Sequence, residues 1–254
     1  MIFLLKFNTM PEGPSILILK ELATKFIGKE ILAAEGNAKI EMEKIPGLTF
    51  QEYKIFGKQS YLVCQHYTIR IHLLLFGSYS IDELTKPERQ LRLHLKFANG
   101  DLYFYSCSVK LLDAAVLKEI DWNADVLSDD WKPSKARKKL KAQPGMMVCD
   151  ALLDQNIFSG VGNIIKNEVL FRIGVHPESV IGKLPPKKLS ALIFEARNYS
   201  FDFLRWKKEY VLKKNWLVHT KKNCPKCGQP LTKKHLGLSN RRTFYCETDQ
   251  KLYA

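Results

Sequence analysis

"LLDQNIFSGVGNIIKNEVLF", residues 152–171, is the stretch from which the rest of the chain can be read. Apolar residues on either side suggest two helices, with Gly160, Gly162 and Asn163 in the turn between them. Glycines let a backbone turn sharply or come close to another object. Asn163 is expected to cap the second helix, whose first N–H groups and positive dipole end suit a phosphate. A helical hairpin whose glycines serve only close packing would explain a lone Gly-x-Gly-Asn as well. This stretch, however, runs on into "HPES" (176–179) and has basic runs on both sides, which favours the phosphate.

Towards the N-terminus the pattern changes twice. "SDDWKPSKARKKLKAQPG" (128–145) combines Pro, Gly and a run of Lys and Arg, as a domain boundary does. Before it, "SYLVCQHYTIRIHLLLFGSYSI" (60–81) and "LRLHLKFANGDLYFYS" (91–106) alternate and are rich in β-branched and aromatic residues. Asn99-Gly100 is a hairpin signal. Earlier still, Leu19, Leu22, Ala23 and Phe26 recur at helical spacing and Gly28 is placed to stop that helix. The expected fold is α+β and multidomain. An antiparallel β-sandwich with flanking helices occupies 10–125, a helical domain 133–217, and a small β-hairpin with clustered cysteines 218–254.

The chain has 254 residues and a formal net charge of +14. Its pI near 9.4 favours a polyanionic partner, nucleic acid first and anionic membrane second. No apolar run is long enough to span a membrane, and "MIFLLKF" (1–7) is too short for a signal-peptide core. A cytoplasmic protein is expected. Cys64, Cys107 and Cys149 stand in apolar contexts and read as reduced, packed thiols.

Three further segments carry chemistry. In "CPKCGQPLTKKHLGLSNRRTFYCETDQ" (224–250), Cys224 and Cys227 form a C-x2-C knuckle, and Cys246 and Asp249 follow at the same spacing. Four such groups suit tetrahedral zinc. Asp249 stands where a fourth Cys is usual, and His235 is a rival ligand. A metal-free hairpin packed on Leu231, Phe244 and Tyr245 is the alternative. "HLLLFG" (72–77) breaks its strand's alternation, either as a doubly buried strand end or as apolar wedges entering a base stack. "MPEGPS" (10–15) looks like the start of a mature protein, so Met10 is expected to be the initiator. A terminal Pro11 would carry a secondary amine able to attack a sugar carbon, with Glu12 beside it to pass protons. Otherwise "PEGP" is a turn before a helix.

In this order, these segments resemble the formamidopyrimidine-DNA glycosylase and endonuclease VIII family, the helix–two-turn–helix DNA glycosylases. "MPEGP", Gly57-Lys58, residues 152–177 and "RRTFYC" with Gln250 carry the resemblance from Met10 to about Tyr253. The resemblance implies a DNA glycosylase and abasic-site lyase of base excision repair that needs no organic cofactor. It implies Pro11 as nucleophile and Glu12 as proton carrier, with Lys58 and Arg241 assisting elimination. Asn163 would grip phosphate, Leu74, Leu75 and Phe76 would fill the void left by a flipped base, and Cys224, Cys227, Cys246 and Asp249 would hold one zinc ion. It further implies damaged double-stranded DNA as partner, a monomer, no membrane, and a bacterial, nucleoid-associated setting.

Gly13 resembles the endonuclease VIII branch, and "SCSVKLLD" (106–113) stands where the purine branch carries an Asp-Pro-Arg-Arg-Phe segment. Both point to oxidised pyrimidines. An oxidised-purine glycosylase and a non-catalytic nucleic-acid-binding zinc-finger protein are the alternatives. Ser15 replaces a frequent Glu that helps order water.

Overall fold

The computed structural model describes residues 11–254, so the initiator reading of Met10 falls outside the described residues. Two compact units divide between Ile120 and Asp121.

The first unit opens on α1 (Gly13–Ala23), which tightens into a 3₁₀ turn through Phe26. Pro14 sits in the first helical turn, where a missing N–H costs nothing. The buried face is Ile16, Leu19, Ala23 and Phe26, while Leu22, read as part of that face, is 39% exposed. Eight strands follow: β1 (Ile31–Glu35), β2 (Glu52–Phe56), β3 (Gln59–Val63), β4 (Tyr67–His72), β5 (Ser78–Ile81), β6 (Leu91–Phe97), β7 (Gly100–Tyr105) and β8 (Ser108–Asp113). They form two four-stranded antiparallel sheets, ordered β1-β6-β7-β5 and β2-β3-β4-β8.

One apolar core joins α1 to residues of both sheets, including Tyr53, Leu62, Ile69, Leu93, Leu95 and Phe104. Period-two burial along β6 shows why: Leu91, Leu93, Leu95 and Phe97 point inward while Arg92, His94 and Lys96 do not. Phe26 stacks on Phe97 with ring centroids 4.5 Å apart, a contact worth about 1 kcal/mol beyond the area it buries.

The second unit holds α2 (Pro133–Lys141), α3 (Val148–Leu153), α4 (Asn163–Arg172), α5 (Pro186–Lys208) and a hairpin of β9 (Thr232–Leu236) and β10 (Arg241–Tyr245). α4 is buried on nearly every side, from Asn163 through Phe171. It packs against α3, α5 and β10. Among the described residues no helix is long and apolar enough to cross a membrane.

Candidate nucleic-acid interface and metal centre

In the first unit, α1 packs against β2 and β3, the strands that flank the turn carrying Lys58. Glu12 is the N-cap of α1 and only 1% exposed. The dipole at a helix N-terminus favours a carboxylate there. Its backbone N–H makes a long 3.5 Å contact to Ser15 Oγ, and the Ser15 N–H donates to the Glu12 carbonyl at 2.8 Å. Pro11 is half-buried beside it.

Lys58 lies in the two-residue turn between β2 and β3, where Phe56 pairs with Gln59 and Gly57 adopts φ +57°. Its charge reaches His72 at the end of β4: burial above all, then Lys58 and Arg70, holds the His72 imidazole below its ordinary pKa. Beyond His72 the chain leaves the sheet. Leu73 is buried, but Leu74, Leu75 and Phe76 are 50%, 40% and 82% exposed. The doubly buried strand end is thus ruled out for these three residues.

In the second unit, Gln155 builds the turn between α3 and α4. Its side-chain amide donates to the carbonyls of Leu153 (2.8 Å) and Val161 (3.1 Å), and its Oε1 accepts the N–H of Gly160 at 3.1 Å. Gly160 has φ +98°, a conformation that favours glycine. The cap of α4 is Gly162, not Asn163 as the sequence suggested. Asn163 is the first helical residue, and its side chain is spent elsewhere: Nδ2 donates to the carbonyl of Arg242 on β10 at 2.8 Å. Its Oδ1 is buried without a hydrogen-bond partner.

Four more bonds tie α4 to β10 and to the segment before the hairpin. Lys166 Nζ donates to Thr243 Oγ1 at 2.7 Å. The Glu168 carboxylate accepts the N–H groups of Leu217, Val218 and His219 at 2.8, 3.0 and 2.8 Å. Burial, the largest influence, raises the Glu168 pKa, and those three N–H groups oppose it. Arg241 opens β10 opposite Leu236, and Arg242 is exposed beside it. At the hairpin tip, Asp150 of α3 accepts the N–H of Leu238 at 2.8 Å.

The sequence pattern singled out none of Gln155, Lys166, Glu168, Thr243, Asp150 and His72. The signal for three of them was in the opening stretch, where polar residues interrupt what is otherwise an apolar helix.

Cys224, Cys227, Cys246 and Asp249 converge, each offering one donor atom, all within 4.8 Å of one another. The Cys227–Cys246 sulfurs are 3.5 Å apart, and Asp249 Oδ2 lies 3.0 Å from Cys224 Sγ and 3.4 Å from Cys246 Sγ. A tetrahedral zinc with bonds near 2.3 Å needs ligand edges of about 3.5–3.8 Å, so the set fits. The N–H groups of Lys226 and Asp249 donate to Cys224 and Cys246 sulfur, both at 3.4 Å, as thiolates favour. Without a cation, Asp249 pushes the Cys227 thiol up to about 12; a divalent ion reverses that sign. His235 lies on β9 and is not part of the cluster.

Residues 123–199 match the family model described as formamidopyrimidine-DNA glycosylase H2TH domain. Residues 123–199 are thus an H2TH domain of the kind described for formamidopyrimidine-DNA glycosylase.

Its relatives include endonuclease 8-like 3 of Bos taurus, 31% identical over 81% of this chain and 35% of that protein. Endonuclease 8-like 2 of Mus musculus is 30% identical over 80% of this chain and 64% of its own. The chain spans only 35–38% of the length of the endonuclease 8-like 3 proteins it matches. In three dimensions it is similar to formamidopyrimidine-DNA glycosylase of Lactococcus lactis, solved non-covalently bound to DNA containing an abasic site. That match has a TM-score of 0.82 and 21% identity, covering 94% of this chain and 99% of the other. The fold is therefore the one that enzyme has.

Proposed function

We propose that the protein is a bifunctional DNA glycosylase and abasic-site lyase that removes oxidised bases, pyrimidines in preference, from double-stranded DNA. The observation that carries this reading is Glu12. It is a carboxylate 1% exposed at a helix N-cap, directly after a proline. The Ser15 N–H holds that carboxylate in a capping box at the start of α1. Next to a proline amine, its task is proton transfer.

With Pro11 carrying a free secondary amine, the nitrogen attacks the sugar C1′. The C1′–base bond breaks and the base leaves with a proton. The C1′–O4′ bond then opens, O4′ taking a proton through Glu12, and the resulting iminium acidifies the C2′–H bond. Loss of that proton expels the 3′-phosphate, and a second elimination expels the 5′-phosphate. Lys58 and Arg241 bind the phosphates that leave, and Asn163 sits at the helix start that faces them in this reading. Leu74, Leu75 and Phe76 fill the place of the flipped base. Cys224, Cys227, Cys246 and Asp249 hold a structural zinc ion, which supplies folding energy to the β9–β10 hairpin.

The pyrimidine preference is supported by the join between β7 and β8. Only Ser106 and Cys107 connect them, so no long loop stands where the purine branch carries its Arg and Phe wedges. The test is product analysis on duplexes carrying thymine glycol or 8-oxoguanine. Faster release of the pyrimidine, with phosphate at both ends of the gap, is expected. Intact strands with both substrates would refute the enzyme.

A further inference from the structure

The loop after β4 is held by a bond that the proposed chemistry does not use. His72 Nδ1 accepts the backbone N–H of Leu74 at 3.1 Å. Leu74 has φ +58°, the left-handed region, which is costly for a branched side chain and does not persist without a restraint. Three residues on, the Gly77 N–H closes the loop onto the Leu73 carbonyl at 2.7 Å. The approach is so tight that a Cβ on Gly77 would lie 2.1 Å from that carbonyl oxygen. The loop is thus pinned at both ends, while Leu74, Leu75 and Phe76 between the pins stay at the surface.

We infer that His72 is a positioning residue for base extrusion: by accepting the Leu74 N–H it fixes the loop conformation in which Leu74, Leu75 and Phe76 enter the base stack. The inference rests on the proposed glycosylase reading. The bond needs the neutral imidazole with its hydrogen on Nε2, because a protonated ring has no acceptor at Nδ1. The charged groups facing the ring are Lys58 from the β2–β3 turn and Arg70 on β4 itself, both cationic. The residues paired with it across the sheet, Gln59 and Ser108, do not titrate. Burial and the two cations keep the ring neutral, and so keep the loop pinned, at neutral pH. As pH falls through the lowered imidazole pKa, the pin is released.

The test compares wild type, His72→Leu and His72→Asn. Leu keeps bulk without an acceptor, whereas the Asn side-chain oxygen stands close to where Nδ1 was. Each is assayed in single turnover on thymine glycol in duplex and in single strand, because only the duplex requires the base to be levered from a stack. His72→Leu should slow duplex excision by roughly tenfold to a hundredfold. It should leave the single-stranded substrate nearly unchanged, and His72→Asn should restore most of the loss. Wild type should also lose duplex activity, relative to single-stranded activity, on the acid side, and His72→Asn should lack that limb. Equal activity of wild type and His72→Leu on duplex would overturn the inference, as would equal losses on both substrates or failure of His72→Asn to rescue. If wild type excises from neither substrate, the glycosylase reading itself is what fails.

Discussion

Asn163 donates its side-chain amide to the carbonyl of Arg242. A residue of the helix–turn motif thereby fixes the strand that carries Arg241. The orphaned Asn163 Oδ1 makes this a committed arrangement, since turning the amide over would place two acceptors against each other. Asn163→Ala should cost roughly 1–2 kcal/mol of stability, because the Arg242 carbonyl loses its partner. It should also weaken DNA binding without altering the dependence on salt, since no charge is removed. Denaturant melts and affinities over a salt series check both expectations.

Arg241→Ala should behave differently. A guanidinium that neutralises one phosphate releases one counterion, so its loss lowers the slope of log K against log salt by about one. Damaged and intact duplexes should be affected alike, because a phosphate contact does not read the base. A loss confined to one lesion would contradict the assignment.

The zinc ion proposed for Cys224, Cys227, Cys246 and Asp249 predicts a folding effect. Cys224 and Cys246 belong to the same small core as Phe171, Val218 and Phe244. Stripping the ion with a chelator should therefore loosen that core and lower the melting temperature, not only free the sulfurs. Asp249→Cys should hold zinc more tightly and Asp249→Ala less, since thiolate is the softer ligand. Metal content after dialysis against graded chelator, read by mass spectrometry, ranks the three.

How far such features can be read in a sequence depends on whether they lie along the chain or across it. Period-two alternation on β6 and the Asn99-Gly100 turn are local, and the sandwich followed from them. The C-x2-C knuckle and its partner pair are local too, and they do converge. The Asn163–Arg242 bond joins residues 79 positions apart, and Glu168 meets His219 across 51. No spacing rule carries such contacts. The capping role read for Asn163 failed for that reason: propensity favours asparagine at a helix cap, but a carbonyl on β10 competed for the amide and won. In "HLLLFG", the run of apolar residues by itself read equally as a buried strand end, and only the resemblance named Leu74, Leu75 and Phe76, the three the fold leaves exposed. Burial of Leu73 alone, with a left-handed Leu74 next to it, settled that question.

His219 supplies a pH dependence with a definite sign. Burial first, then the charges of Lys166 and Arg242, lower its pKa to about 4, against an ordinary value near 6.5. Between those values the unfolded chain binds the proton and the folded one does not, so stability is complete above pH 6.5 and falls as the pH drops towards 4. The full effect is roughly 3 kcal/mol. Glu168, with its raised pKa, acts in the opposite sense, so the measurement is a difference. The stability gap between wild type and His219→Phe should change between pH 7.5 and pH 4.5, in the direction that favours the variant in acid.

The chemistry proposed for Pro11 and Glu12 predicts how two variants separate two steps. Borohydride should trap the protein on abasic-site duplex when Pro11 is the free N-terminus, because reduction freezes the iminium between the proline nitrogen and C1′. With residues 1–10 still attached the nitrogen is an amide, has no lone pair to offer, and trapping should be lost. Pro11→Gly keeps a terminal amine, but a primary and less constrained one, so trapping should fall without vanishing. Glu12→Gln should impair excision of a damaged base more than cleavage of a preformed abasic site. Base loss needs a proton delivered as the sugar opens, whereas a preformed site already presents an aldehyde. Because Glu12 is buried at the helix start, the glutamine fits the same space and the comparison reports on the proton, not on packing. If the form that keeps residues 1–10 traps as well as the one starting at Pro11, the nucleophile is another amine, and Lys58 on the β2–β3 turn is the first to replace.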